Sequence, residues 1–410
     1  MIDLGLLRDD PQLLKRLKDK DPHFAIEQLL ELDDDRRLLM QDVEKLRAQK
    51  NELAKSAQGG LTDDIRQQSI EIGKDLKNKE QALEKISDEY KVLNLHCPNI
   101  PEAGIPFGGK EANKVIKEVG KKPVFDFEIK NHVELGNALG WFDFEAAARM
   151  AGSQFALYKG DAVKLIYALT RMMLKNNVTH GFQPILPPYM VNEKSLEVAS
   201  NFPKFKGDVY SISGEDLYMT PTAEVNLTNL YRDSIIDGDK LPIRMTAWTS
   251  CFRREAGGYG AQERGLIRIH EFEKVELYSI SEPAKANEEL EQMVICAEAI
   301  LQTLGLHYRI SLLALQDMSF PSAKTYDIEV WMPGQNAYYE VSSCSNCTDF
   351  QARRGKIRYR KDVNAKPSLV NTLNASSLAL PRLMVALMET YQQKDGSIKL
   401  PPELMLYMDW

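Results

Sequence analysis

The chain has 410 residues, 43% of them hydrophobic, with 52 basic and 59 acidic side chains and a formal net charge of -7. That length fills one large domain or two ordinary ones, and the acidic balance argues against a general nucleic-acid coat while leaving room for a local basic patch. No apolar run reaches the roughly 18 residues needed to span a bilayer, the Met1 start carries no cationic leader, and five cysteines are an odd number that suits reduced thiols. We therefore expect a cytoplasmic protein without membrane association.

Two long helices are predicted between Leu29 and Leu93. Leu32, Leu39, Leu46 and Leu53 recur every seven residues with Leu29 and Val43 in register, a narrow coiled-coil seam. Ile65, Ile72, Leu76, Leu83, Ile86, Tyr90 and Leu93 continue a three-four alternation in the second helix. Between them, "SAQGGLTDD" offers Gly59 and Gly60 as terminators and Thr62, Asp63 and Asp64 as an N-cap. The helices should fold back as an antiparallel hairpin roughly 45 Å long, at about 1.5 Å per residue. The alternative is a dimerising coiled coil, against which the internal turn gives each helix a partner in its own chain. Lys45, Arg47, Lys50 and Lys55, with Lys74, Lys77 and Lys79 at matching height, suit phosphate contacts near the tip, although a solvated charged coil would carry the same residues.

"CPNIPEAGIPFGGKEAN" is too rich in Pro and Gly for a helix or a central strand, so we place the arm at 1-103 and the body at 104-410. Its GxxxxGK match from Gly104 to Lys110 lacks a preceding strand, and Glu111 stands where a P-loop needs Ser or Thr. Beyond Val124, a helix from about Asp161 to Asn176 leads into "GFQPILPPYMVN", strands dominate from Leu217 to Val341, and helices are expected around Lys285 to Leu304 and Leu378 to Tyr391. A hairpin should turn at Pro333 and Gly334. Strand runs without regular βαβ alternation define an α+β body around an antiparallel β-sheet flanked by helices. The lone "CSNC" is weak evidence for a metal and reads better as a strand end.

The chemistry concentrates in "CFRREAGGYGAQERGLIRIHEFEKVELYS", residues 251-279. Strand alternation puts Arg268, His270, Phe272, Lys274 and Glu276 on one face of their strand, and Arg253 and Glu255 share a face of the strand before it, which a flexible glycine-rich return can fold back as a hairpin. Two arginines, carboxylates and an aromatic plate on one wall suit a nucleotide, since a guanidinium pairs with phosphate and a ring stacks on a base. A solvated sheet face of alternating charges is the competing reading. "MTPTAEV" should place Thr222 and Glu224 on one face of a short strand, while "YYEVSSCSNCTDFQARR" and "NTLNASSLALPR" supply Glu340, Ser342, Ser343, Ser376 and Arg382.

Taken together, these stretches resemble seryl-tRNA synthetases of the bacterial type, a family of class II aminoacyl-tRNA synthetases, and the resemblance spans the whole chain. "FQPILPPYMV" is similar to the first class II motif, whose Pro188 the family puts at a dimer interface; "FRREAG" with "GLIRIHEFEKVE" resembles the second and "NASSLALPR" the third. The resemblance implies ATP and Mg2+ as cofactors, L-serine and tRNA(Ser) as substrates, a homodimer, and a hairpin arm that grips the tRNA, with selenocysteine tRNA also charged where it is present. It implies that Arg253 binds the α-phosphate and the substrate carboxylate, Glu255 the adenine amino region, and Phe272 stacks on adenine. Arg268 and Arg382 would grip the outer phosphates, and Glu340 and Ser343 would hold magnesium. Arg254, Val341 and Ser342 complete the implied ATP set, and Arg253, Glu255 and Arg382 are the implied catalytic residues. Serine falls to Thr222, Ala223, Glu224, Arg253, Glu276 and Ser376. Glu340 and Ser343 lie three apart, so a bulge or strand end must intervene if both meet one ion. Ala375, Ser377 and Pro381 replace the family's usual glycines, and Arg254 stands where serine is common.

Overall fold

The computed structural model describes residues 1-56, 62-255 and 265-409, which form two compact units, Met1–Pro98 and Asn99–Trp410. In the first, α1 (Ile26–Ser56) and α2 (Asp63–Leu95) pack side by side. The Arg36 guanidinium lies 4.5 Å from the Tyr90 ring centre while Arg47 further along pairs with Glu80 (2.7 Å), so the helices run antiparallel, and Asp42 adds an ion pair to Lys79 (2.6 Å). Leu29, Val43 and Leu76 are buried, and the heptad leucines are half-buried, as a two-helix seam allows. Thr62 caps α2 by accepting from the Ile65 N–H at 3.3 Å. The turn expected at Gly59 and Gly60 lies outside the described residues.

The second unit is built on an eight-stranded sheet. Its strands are β1 (Lys114–Val119), β2 (Gln183–Ile185), β3 (Ile243–Phe252), β4 (Glu271–Ser281), β5 (Tyr308–Leu312), β6 (Lys324–Met332), β7 (Ala337–Asn346) and β8 (Asn371–Ala379). Their spatial order is β1-β5-β6-β7-β8-β4-β3-β2. Every neighbouring pair is antiparallel except β2 with β3. Val275 and Leu277 of β4 join the main core with Leu165 and Leu169 of α3 (Asp161–Thr179), Leu290 and Met293 of α5 (Ala286–Thr303), and Leu383 and Leu387 of α6 (Leu380–Thr390). The intervening Lys274 and Glu276 point to the opposite face, which carries the clefts described below. On that opposite face α4 (Ala223–Asn229) packs Ala223 and Leu227 into a smaller core with Tyr278 and Ile280 of β4 and Met245 and Ala247 of β3.

The 251-279 region corrects one expectation. β3 and β4 pair in register from Ile243 with Ile280 to Phe252 with Glu271, but residues 265-270 are turns and bends rather than strand. The return expected through residues 256-264 lies outside the described residues. "MTPTAEV" is corrected too: the strand is only Tyr218–Met219, and Thr222 is the N-cap of α4.

Candidate active site

Arg253 follows directly on β3 and is held by its backbone: its N–H donates to His270 O at 2.9 Å, and His270 Nδ1–H donates back to Arg253 O at 3.0 Å. His270 therefore braces Arg253 and does not line the cleft beside it. The Arg253 Nε donates to Pro221 O at 3.2 Å, and the guanidinium carbon lies 5.3 Å from the Phe272 ring centre. Glu255 adopts a left-handed φ of 50°, a strained geometry for a non-glycine residue, and its carboxylate meets the Arg268 guanidinium at 2.6 Å. This conformation, rather than continued strand alternation, keeps Glu255 beside Arg253.

Arg253, Glu255, Arg268, Phe272, Glu340, Ser376 and Arg382 all line one cavity of about 270 Å3, together with Lys274, Ile267 and Ile269. An adjoining cavity of about 470 Å3 shares Arg253, Glu255 and Arg268 and adds Thr222, Glu224 and Asn374. Pro381 is the second residue of α6, in the first turn where its missing N–H has no helical partner to lose. That places Arg382 to donate from Nη1 to Glu340 O at 2.8 Å and from Nε to Ile267 O at 3.3 Å. Ala223, Val341 and Ser342 have buried side chains, so these residues can reach a ligand only through their backbone. Arg254 is exposed, with its guanidinium carbon 5.8 Å from the Tyr210 ring centre.

Under the wall lies a dense polar cluster. Glu276 is 2% exposed, forms a close ion pair with Lys274 and accepts from Thr222 Oγ1 at 3.1 Å, while Lys274 Nζ donates to the same hydroxyl at 2.8 Å. Glu224, the second residue of α4, accepts from Gln351 Nε2 at 2.6 Å and Asn374 Nδ2 at 3.1 Å. Burial, and then the Glu276 charge, pushes the Glu224 carboxyl up to about 7. The reading of the sequence gave no role to Lys274, Asn374 or Gln351. Asn374 shares its strand face with Ser376, which is the signal that could have found it.

The bulge needed to bring Glu340 and Ser343 together is present: in the β6–β7 ladder Glu340 faces Glu329 but Ser342 faces Ile328. Both residues line a third cavity of about 540 Å3 with Arg382 and Asp327. Burial, and then the Glu340 charge, pushes the Asp327 carboxyl well above the usual carboxylate range. Among the described residues no group of three or more His, Cys, Asp or Glu side chains is arranged to hold a metal alone. One carboxylate and one hydroxyl beside an open cleft nevertheless fit magnesium, which keeps waters and takes its other ligands from substrate phosphates.

Where the family's glycines are replaced, the backbone is accommodated. Ser377 is buried, donates from Oγ to Asn177 Oδ1 at 3.0 Å, and sits where the β4–β8 register shifts. Ser376 still lines the first cavity. Cys251 is buried, and burial raises its thiol, which leaves no thiolate nucleophile there. Cys344 ends up buried within β7, and Cys347, just beyond it, accepts from Asn374 Nδ2 at 3.4 Å.

An antiparallel sheet whose arginine wall faces a covered carboxylate pocket is the architecture of class II aminoacyl-tRNA synthetases, and the tRNA synthetase class II core domain (G, H, P, S and T) family matches residues 205-391. The seryl-tRNA synthetase N-terminal domain family matches residues 1-101. A serine-tRNA ligase of Syntrophobacter fumaroxidans is 43% identical over 417 residues, covering 100% of this chain and 98% of the relative. That of Nitratidesulfovibrio vulgaris is 43% identical over 416 residues with the same coverage. The crystal structure of seryl-tRNA synthetase from Pyrococcus horikoshii complexed with ATP superimposes with a TM-score of 0.94 at 34% identity, covering 100% of this chain and 98% of that one. The chain belongs to the seryl-tRNA synthetase family.

Proposed function

We propose the following division of labour in this ATP-dependent serine-tRNA ligase. The observation that carries it is that six of the ten residues expected to meet ATP, Arg253, Glu255, Arg268, Phe272, Glu340 and Arg382, line one cavity, with Thr222 and Glu224 in the cavity that adjoins it. ATP lies along the first cavity with adenine stacked on Phe272, its amino edge on Glu255, its α-phosphate on Arg253, and its outer phosphates on Arg268 and Arg382. Serine enters beside it, its carboxylate on Arg253 and its ammonium and hydroxyl among Thr222, Glu224, Glu276 and Ser376, with the Ala223, Val341 and Ser342 backbone completing the walls.

The serine carboxylate attacks the α-phosphate, the bond to the β-phosphate breaks, and pyrophosphate leaves. The terminal ribose hydroxyl of the tRNA then attacks the activated carbonyl and AMP departs. Neither step needs a nucleophile from the enzyme. Arg253 orients the attacking carboxylate and offsets the charge on the α-phosphate, which is the positioning and charge neutralisation such chemistry demands. Magnesium held by Glu340 and Ser343 would supply further neutralisation of the phosphates. Serine is distinguished from alanine because a pocket built to bond the hydroxyl leaves its own buried groups unsatisfied when the hydroxyl is missing.

Residues 1-103 form the tRNA-binding part and 104-410 the catalytic part. Lys45, Lys50, Lys55, Lys74 and Lys77 are exposed along the arm, which supports contacts to the phosphates of tRNA(Ser), and of selenocysteine tRNA where it is present. Arg47 and Lys79 already make cross-helix ion pairs. Tyr167 and Val178 on α3, and Leu186 and Met190 around Pro188, are exposed, which supports a homodimer through the first motif. No described helix is long and apolar enough to cross a membrane, and a cytoplasmic enzyme is in keeping with its substrates. Crystals soaked with ATP test the assignment: phosphates against Arg253, Arg268 and Arg382 are expected, and phosphates remote from Arg253 and Arg382 would overturn it.

A further inference from the structure

His132 lies outside the cavities of the ATP wall and serine pocket, is 2% exposed, and is bonded on both ring nitrogens. Its Nε2 accepts the Leu266 backbone N–H at 3.2 Å, so the ring proton sits on Nδ1, which donates to Glu389 Oε1 at 3.1 Å. Glu389 also takes the N–H of His132 at 3.0 Å, the N–H of Gly334 at 2.9 Å and the side-chain amide of Gln335 at 3.0 Å. The carboxylate is thus fully engaged and completely buried, and it fixes the imidazole in one tautomer and one orientation.

The segment so anchored is the one that carries Arg268 into the ATP cleft. Gly265 precedes Leu266 with a φ of +70°, and a Cβ built on it would lie 2.3 Å from His132 Nε2, so this backbone approach needs glycine. One residue beyond Leu266, Ile267 O accepts from Arg382 Nε at 3.3 Å, and Arg268 meets Glu255 at 2.6 Å. Arg382 and Glu389 stand on the same helix, α6, seven residues or about 10 Å apart. The helix therefore holds the 265-268 segment at two points, directly through Arg382 and through the Glu389–His132 relay.

We propose that His132 is a positioning residue of the ATP cleft. With Glu389 it sets the backbone of residues 265-268 so that Arg268 and Arg382 present their guanidinium groups together. The inference rests on the reading that these arginines grip ATP phosphates. Replacing the imidazole by an apolar side chain would strand the buried Leu266 N–H, and the limb would have to move to find another partner.

The test compares full-length His132→Leu, His132→Gln and Arg382→Ala proteins in serine-dependent pyrophosphate exchange, with amide hydrogen exchange followed at residues 265-270. His132→Leu should raise the KM for ATP roughly ten-fold while the KM for serine moves by less than about two-fold, and should speed exchange at the Leu266 amide. His132→Gln, whose amide oxygen can accept the same N–H, should recover most of the ATP affinity. A general loss of stability would lower the active fraction, and with it the apparent kcat, without a selective rise in the KM for ATP, and would not be rescued by glutamine. A folded His132→Leu protein with an unchanged ATP KM and an unchanged Leu266 amide overturns the proposal, provided that Arg382→Ala weakens ATP. If Arg382→Ala leaves the ATP KM intact, the phosphate-grip reading fails, and the Leu266 amide alone decides whether His132 holds the limb. Should His132→Leu fail to fold, Gly265→Ala takes its place, with the same selective loss of ATP affinity expected and a normal ATP KM counting against the proposal.

Discussion

In the arm, Lys45, Lys50, Lys55, Lys74 and Lys77 stand exposed on two helices. In the catalytic unit, Lys274 is buried, Arg253, Arg268 and Arg382 are half-buried, and each is already bonded to a carboxylate, hydroxyl or carbonyl. The difference separates two ways of binding phosphate. Exposed lysines attract a polyanion through counterion release, which salt weakens and shape tolerates. Half-buried guanidinium groups held in one geometry select a particular small ligand, and their fields are screened much less. On the proposed reading, one chain uses the first for a large RNA and the second for a nucleotide.

The largest effect that would sharpen this contrast comes from removing the arm. Deleting residues 30-92 should abolish serine charging of tRNA while serine-dependent pyrophosphate exchange stays largely intact; equal loss of both activities would break the division. A smaller effect concerns the buried pocket alone. Glu224 keeps a proton in the folded state up to about pH 7, whereas the unfolded chain releases it near its ordinary 4.5, so the folded state loses stability as pH rises between these values. Glu224→Gln carries no such loss. Its melting temperature relative to the parent should therefore climb between pH 4.5 and 7 and level off above, and a difference flat in pH would contradict the buried neutral carboxyl.

The arm was legible because its information is local. Leu32, Leu39, Leu46 and Leu53 repeat at the period that one partner helix requires, and Thr62 marks the restart. Phe272, Lys274 and Glu276 were equally legible, since β4 is a true strand and alternation sorts its side chains. Alternation failed one residue earlier. At 265-270 the chain turns, so Ile267 and Ile269 line the same cavity as Arg268, and His270 folds back onto Arg253. Thr222 and Glu224 do meet the site, but as a helix cap and first turn, because the Thr hydroxyl finds the Glu224 N–H at 3.3 Å and competes with extended backbone. The bulge at Val341 could be required from the spacing of Glu340 and Ser343 but not located by it. Asn374, Gln351 and His132 were silent because their partners lie 150, 127 and 257 positions away in Glu224, Glu224 and Glu389. No local pattern encodes such contacts. The roles within the site came from the resemblance, while spacing supplied only the charged wall.

The central claim is that a buried carboxylate beside the arginine wall reads serine. Glu276→Gln keeps the volume of the side chain but exchanges one acceptor oxygen for a donor NH2 and removes the charge that pairs with Lys274 and, on the proposed reading, meets serine. Serine-dependent pyrophosphate exchange by this variant should fall by about 100-fold or more with ATP affinity within about two-fold of the parent. Near-normal exchange at ordinary serine concentrations would contradict it.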